Sequence, residues 1–181
     1  MTKRYKFLRE GLKSNLGDHT WKVGEWYKID GDVSICDCGF HCSKEIYQAF
    51  SYVQGEILAE VEVEGDSVIQ DDKEAWGEMK IRKVWKWQKK DSVAVSIGAA
   101  EICLKNFEKV FPNDKRPREA IEAARKWLEN STKKNESAAE SAARSAWSAA
   151  RLAKAKITTL KKIYALFDKQ LKKLEIYDPK S

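Results

Sequence analysis

The residues that most constrain this fold form one strictly alternating run, Glu56-Ile57-Leu58-Ala59-Glu60-Val61-Glu62-Val63-Glu64-Gly65. Successive side chains of a strand point to opposite faces. Leu58, Glu60, Glu62 and Glu64 therefore share one face, and Ala59, Val61 and Val63 the other. Such a division predicts an antiparallel sheet with one buried and one wet side. A second run, Met79 to Trp87, alternates as well. It places Met79, Ile81, Trp85 and Trp87 on an apolar face and Lys80, Arg82 and Lys86 opposite. Upstream, Trp21 to Ile29 carries strand formers before the turn signal Asp30-Gly31, and Val33 to Cys36 alternates. A short helix is expected from Ser43 as N-cap, with Ile46, Phe50 and Val53 inward.

After Asp91-Ser92, read as an N-cap, the period changes to that of a helix. A first helix runs to about Val110 with Ile97, Cys103 or Leu104, Phe107 and Phe111 inward. Phe111-Pro112-Asn113-Asp114 ends it. Pro117 suits the first turn of a second helix to Glu129, with Ile121, Ala124 and Leu128 inward. A third, Ser137 to about Lys154, is nearly all Ala, Ser and Arg, and small side chains let backbones approach closely. A fourth, Lys156 to about Leu174, aligns Ile157, Leu160, Ile163, Tyr164, Phe167, Leu171 and Leu174 on one stripe. The predicted fold class is α+β: a small antiparallel β-rich half with one helix over 1–90, then an antiparallel bundle of about four helices over 91–181.

Composition narrows the function classes. Hydrophobic residues make up 43%, enough for a packed core. The 34 Lys and Arg against 28 Asp and Glu give a net charge of +6, compatible with nucleic acid but equally with a solvated surface. No stretch approaches the roughly 20 apolar residues that span a bilayer, so no membrane partner is expected. The basic start, MTKRYKFLREGLKSN, lacks the apolar core of a signal peptide. A cytoplasmic location is therefore expected, where the four cysteines stay reduced.

No catalytic constellation or cofactor motif emerges. Cys36, Cys38, His41 and Cys42 would supply four zinc ligands by count. All four come from one strand-like stretch, which hardly surrounds an ion, so no metal is predicted. His41 and Cys42 are sequence neighbours pointing to opposite sides of a strand, which is no catalytic dyad. The nine glycines are scattered and form no phosphate-binding loop. Glu60, Glu62 and Glu64, joined by Asp66, Asp71 and Asp72, make an acidic ridge read as a solvated face. Lys80, Arg82, Trp85, Lys86 and Trp87 interleave aromatic and basic side chains as single-stranded nucleic-acid sites do. The apolar-face position of Trp85 and Trp87 favours core packing, and nucleic-acid binding is the alternative.

Two segments resemble known families. Phe111-Pro112-Asn113-Asp114-Lys115-Arg116-Pro117-Arg118-Glu119-Ala120-Ile121-Glu122-Ala123-Ala124-Arg125-Lys126-Trp127-Leu128, continued by Ala138 to Ala153, resembles a helical family of immunity proteins of bacterial toxin systems. Val23-Gly24-Glu25-Trp26-Tyr27, Cys38-Gly39-Phe40-His41-Cys42, Ala59 to Val63 and Lys80-Ile81-Arg82 resemble a small domain common in bacteriophage genomes. Gly39 to Ser43 is also similar to the core of ADP-ribosyltransferases, whose triad would require His19 and Glu78 here. The first two resemblances imply a non-enzymatic, phage-encoded inhibitor that binds a protein of a host defence or toxin system, such as an anti-CRISPR. Its contact surface is expected to use exposed Arg116, Arg118, Trp127 and Trp147, because Trp and Arg dominate binding hot spots. A minimal ADP-ribosyltransferase-like enzyme centred on His41 is a further alternative.

Overall fold

The structure, a computed structural model, describes residues 3–130 and 157–178. The third predicted helix and Trp147 lie outside them. The protein is α+β, with an antiparallel sheet in its first half and helices in its second. It divides into two compact units. One runs to Trp87 and includes the C-terminal segment from Lys173; the other is Gln88–Lys172.

In the first unit the long strands β4 (Ile57–Ile69) and β5 (Glu74–Lys86) form the hairpin at the centre of the sheet. Strand β1 (Arg4–Leu8) pairs with β4, while β2 (Trp26–Lys28) and β3 (Phe40–Cys42) follow one another along the other edge of β5. The edges then meet, because Tyr5 and Ser43 exchange both backbone hydrogen bonds at 2.8 and 2.9 Å. This closure gives the open edges partners they would otherwise lack. Leu8, Trp21, Cys42, Ala59, Val61, Met79, Ile81 and Val84 fill the core within.

Both alternating runs are strands, as their period requires, and both extend past the predicted ends across bulges. Glu60 faces Lys83 but Val61 faces Ile81, so Arg82 is an extra residue on β5. A bulge of this kind shifts the side-chain alternation by one. Val84 consequently joins Ile81, and Trp85 turns to the opposite face beside Leu58, which corrects the expectation that Trp85 shares the face of Ile81. The second shift, between Glu64 and Ser67, places Gly65 at a φ of 78°, a conformation that favours glycine.

Helix α1 (Ile46–Tyr52) is capped by Glu45 in a reciprocal capping box with Gln48, not by Ser43, which is spent closing the sheet. Phe50 packs against Phe7 and Trp87, with ring centroids 5.8 Å away in both cases. Gly55 permits this crossing: a Cβ there would lie 2.4 Å from the Leu8 carbonyl oxygen. The segment 33–36 is a loop instead of a strand, with Cys36 at a φ of 68°. Residues 173–178, expected with the helices, return to the sheet, where Lys86 and Tyr177 donate backbone hydrogen bonds to Glu175 and Val84.

In the second unit α2 (Lys89–Val110) is packed by α3 (Arg116–Glu129) and α4 (Ile157–Leu171). Gln88 is its N-cap and Asp91 closes the capping box from the third helical position, so the helix begins about one turn before the predicted cap. The free oxygen of Asp91 accepts a hydrogen bond from Gln170 at 2.7 Å, fastening α4 to the start of α2. Val93, Ile97, Ala100, Ile121, Ala124 and Trp127 form the core, and Ile163 and Phe167 of α4 are buried. Gly98 lets α4 come close, since a Cβ there would meet the Leu166 side chain at 2.7 Å.

Candidate functional site

The two prolines of Phe111-Pro112-Asn113-Asp114-Lys115-Arg116-Pro117 stop one helix and start the next, producing a tight corner between α2 and α3. Proline cannot donate the backbone hydrogen bond a helix interior needs, but it is tolerated in the first turn. Val110 and Phe111 stand exposed at this corner, Phe111 by 54%. That corrects the inward placement of Phe111: the helix ends just before it, and its ring leans on Phe107. Arg116, 87% exposed, grips Asp114 through Nε at 2.9 Å and Nη2 at 2.6 Å. The guanidinium holds the Asp114 carboxyl below the usual carboxylate range. Arg118 binds Glu108 of α2, and Arg125 binds Glu101, so α3 is laced to α2 along its exposed flank. A shallow, open depression lined by residues 110–116 and Glu119 completes the corner. Trp127 is corrected: at 5% exposure it belongs to the core of this unit, because the spacing from Ile121 and Ala124 turns it inward.

The basic and aromatic strand is arranged differently from a stacking platform. Trp85 and Trp87 are buried, so no open ring face remains for a base. Trp87 stands edge-on to Phe7 at 5.2 Å. Lys80 and Arg82 both bind Glu62, at 2.7 and 3.1 Å. These cross-strand partners neutralise Glu62 at the centre of the acidic run, and Lys80 is the main reason its carboxyl is held low. Lys86 is exposed at the end of β5.

The third feature is a cleft in the first unit. Tyr5 and Ser43 bridge the sheet edges, and a cleft opens beside that pair between β1 and β3. The gap has a volume of roughly 620 Å³ and is lined by Lys6, Trp21, Phe40, His41, Tyr52 and Lys73 among others. His41 is tied into its own loop: its Nε2 accepts a hydrogen bond from the Cys36 amide at 2.9 Å, and a backbone hydrogen bond joins it to Gly39. Burial, then the charge of Lys6, keeps the imidazole neutral by lowering its pKa. A ring so engaged offers no free nitrogen to a substrate or a metal. Among the described residues no group of three or more His, Cys, Asp or Glu side chains is placed to hold a metal ion. His19, the other residue the ADP-ribosyltransferase resemblance would need, is packed edge-on against Trp21 and Tyr27 at 4.6 Å. Glu78 is bound to Lys28 at 3.0 Å. Sequence reasoning missed Lys6 and Lys73 as cleft residues, since they come from segments 67 positions apart.

The N-terminal part of the first unit falls within a known family: a model described as Domain of unknown function (DUF7666) matches residues 2–92. The chain belongs to the DUF7666 family. Its DUF7666 domain contains all five strands and the cleft. A second model, described as Imm-5 like putative immunity protein, matches residues 83–166, overlapping the first at 83–92. This match includes the Phe111–Arg118 corner and supports an immunity-type role with a protein partner. No curated protein and no solved structure matches the chain. No helix among the described residues is long and apolar enough to cross a membrane.

Proposed function

We propose that this protein is a non-enzymatic, protein-binding inhibitor of the immunity type, phage-encoded and directed against a host defence or toxin component. The observation that carries the reading is the match of residues 83–166 to immunity proteins. The corner of the helical unit has the chemistry of a contact patch. It presents an exposed aromatic ring, Phe111, and an adjacent valine, flanked by Arg116 and Arg118. Aromatic and arginine side chains, phenylalanine included, are enriched at protein interfaces. Arg116 is held by its own Asp114 before a partner arrives, so little side-chain freedom remains to be lost on binding. A nucleic-acid partner is the weaker reading, because the buried Trp85 and Trp87 leave only charge on that strand.

The test is affinity capture from bacterial lysate, with and without nuclease, using the intact chain and an Arg116→Glu/Arg118→Glu variant. One stoichiometric protein that survives nuclease and is lost with the variant supports the proposal. Loss of every partner on nuclease treatment overturns it in favour of nucleic-acid binding, which falls steeply with salt.

A further inference from the structure

The cleft of the DUF7666 domain contains a charge that the fold leaves without a counter-ion. Lys6 projects from β1 into the space between Trp21, His41 and Cys42, its ammonium 4.4 Å from the centre of the Trp21 ring. Among the described residues no carboxylate pairs with it: Glu60 is taken by Lys3, and Glu74 by Arg4. Lys6 is half-buried, and withdrawing a cation from water without a partner costs stability. A methionine at this position would fill the same space at no such cost. Perturbed ionisable groups of this kind gather at functional sites. Burial moves the Lys6 ammonium down to about 8, its ordinary value being 10.5. It is therefore still charged near neutrality, and its positive charge helps keep His19 and His41 neutral.

The rest of the lining has the character of a small-molecule site. Its volume lies within the roughly 300–1,000 Å³ of ligand pockets, which are mostly apolar with a few placed polar groups. Trp21, Phe40 and Tyr52 supply aromatic surface, and a second cation, Lys73, stands at the rim beside Tyr52, 5.3 Å from the ring centre. The lining carries one acidic side chain, Asp37.

We infer that the cleft between β1 and β3 binds a small organic anion, its phosphate or carboxylate on Lys6 and its apolar or planar body along the aromatic wall. Lys6 neutralises the head, and Lys73 draws it in from the rim. The anion supplies the counter-ion that the fold omits.

The experiment titrates the full chain with phenyl phosphate, benzoate, inorganic phosphate and benzyl alcohol, following tryptophan fluorescence and heat. Saturation at one site by phenyl phosphate or benzoate is expected, with benzyl alcohol and inorganic phosphate weaker by about tenfold each, the effect of about 1.4 kcal/mol. The tighter of the two aryl anions identifies the head group. Lys6→Met loses about tenfold in affinity while melting no earlier than the parent. Lys73→Gln, at the rim, tests the site independently of the core, and a severalfold loss is expected. The inference fails if no probe saturates, if benzyl alcohol binds as well as the anions, or if both lysine variants bind like the parent.

Discussion

Arg4 and Glu74 give the most severe test of how the sheet is held together. Arg4 opens β1 and Glu74 opens β5, 70 residues later, and both are buried, Glu74 at 1% exposure. The Arg4 Nε donates to Glu74 Oε2 at 2.6 Å, and the same oxygen accepts the Trp76 indole N–H at 2.8 Å. Lys44 stands 3.6 Å from the other oxygen. Removing one partner of a buried pair costs about 3–5 kcal/mol, whereas replacing both with apolar residues is often neutral or stabilising. The structure orders the two single variants. Arg4→Met leaves Glu74 with Trp76 and Lys44 as partial compensation, which places it near about 3 kcal/mol. Glu74→Met leaves Arg4, among the described residues, with the Lys3 carbonyl at 3.1 Å and strips the indole of its acceptor. Its cost is near about 5 kcal/mol, a large share of the roughly 5–15 kcal/mol that holds a typical domain. The double variant should recover to within about 1 kcal/mol of the parent, the residue being the unpaired indole. Urea unfolding followed by tryptophan fluorescence measures all three. Single-variant costs below about 1 kcal/mol, or costs that simply add in the double variant, would mean that this pair does not hold β1 to β5.

Three further outcomes follow from the same geometry. Gly55→Ala should destabilise the first unit by about 1–3 kcal/mol, because the new methyl meets backbone that cannot step aside; an unchanged urea midpoint would contradict this. Native-state alkylation read by mass spectrometry should modify exposed Cys36 first and Cys42 and Cys103 last. Burial, assisted by Glu74, pushes the Cys42 thiol up to about 12, and burial also raises Cys103; equal rates for Cys36 and Cys42 would count against it. Lys6 releases its proton near pH 8 when folded and near 10.5 when unfolded, so between these values the unfolded chain binds more protons and stability rises with pH. Cys42 acts in the opposite sense from about pH 9, so the comparison with Lys6→Met is made between pH 8 and 9. The rise should be present in the parent and missing from the variant.

The sheet was legible where its pattern is local. Ala59, Val61 and Val63 announce their face because each neighbour two residues away repeats the chemistry. β1 was not legible, since Arg4 and Lys6 interrupt its apolar pattern and Arg4 is tolerated only through Glu74, far along the chain. Trp85 was placed on the wrong face because one extra residue, Arg82, moves the alternation without leaving a mark in composition. In the helical half, periodicity located α2, α3 and α4 but misjudged the ends. Phe111 fits the stripe of α2 by spacing, yet Pro112 ends the helix before the ring can turn inward. Trp127 read as a surface anchor by residue type alone, whereas its spacing from Ile121 and Ala124 already pointed to the core. The cleft was invisible for a different reason: Lys6, Trp21, His41, Tyr52 and Lys73 come from five separate segments, joined only when β1 and β3 meet at Tyr5 and Ser43.

The most direct measurement of the inhibitor reading is a titration of the captured partner's own activity with the purified chain. Inhibition is expected to be complete at one equivalent and lost when Arg116 and Arg118 become glutamate while the melting temperature stays put, since exposed ion pairs contribute only about 0–1 kcal/mol. A complex that forms without inhibition, or a partner left covalently modified by substoichiometric amounts of the chain, would contradict it.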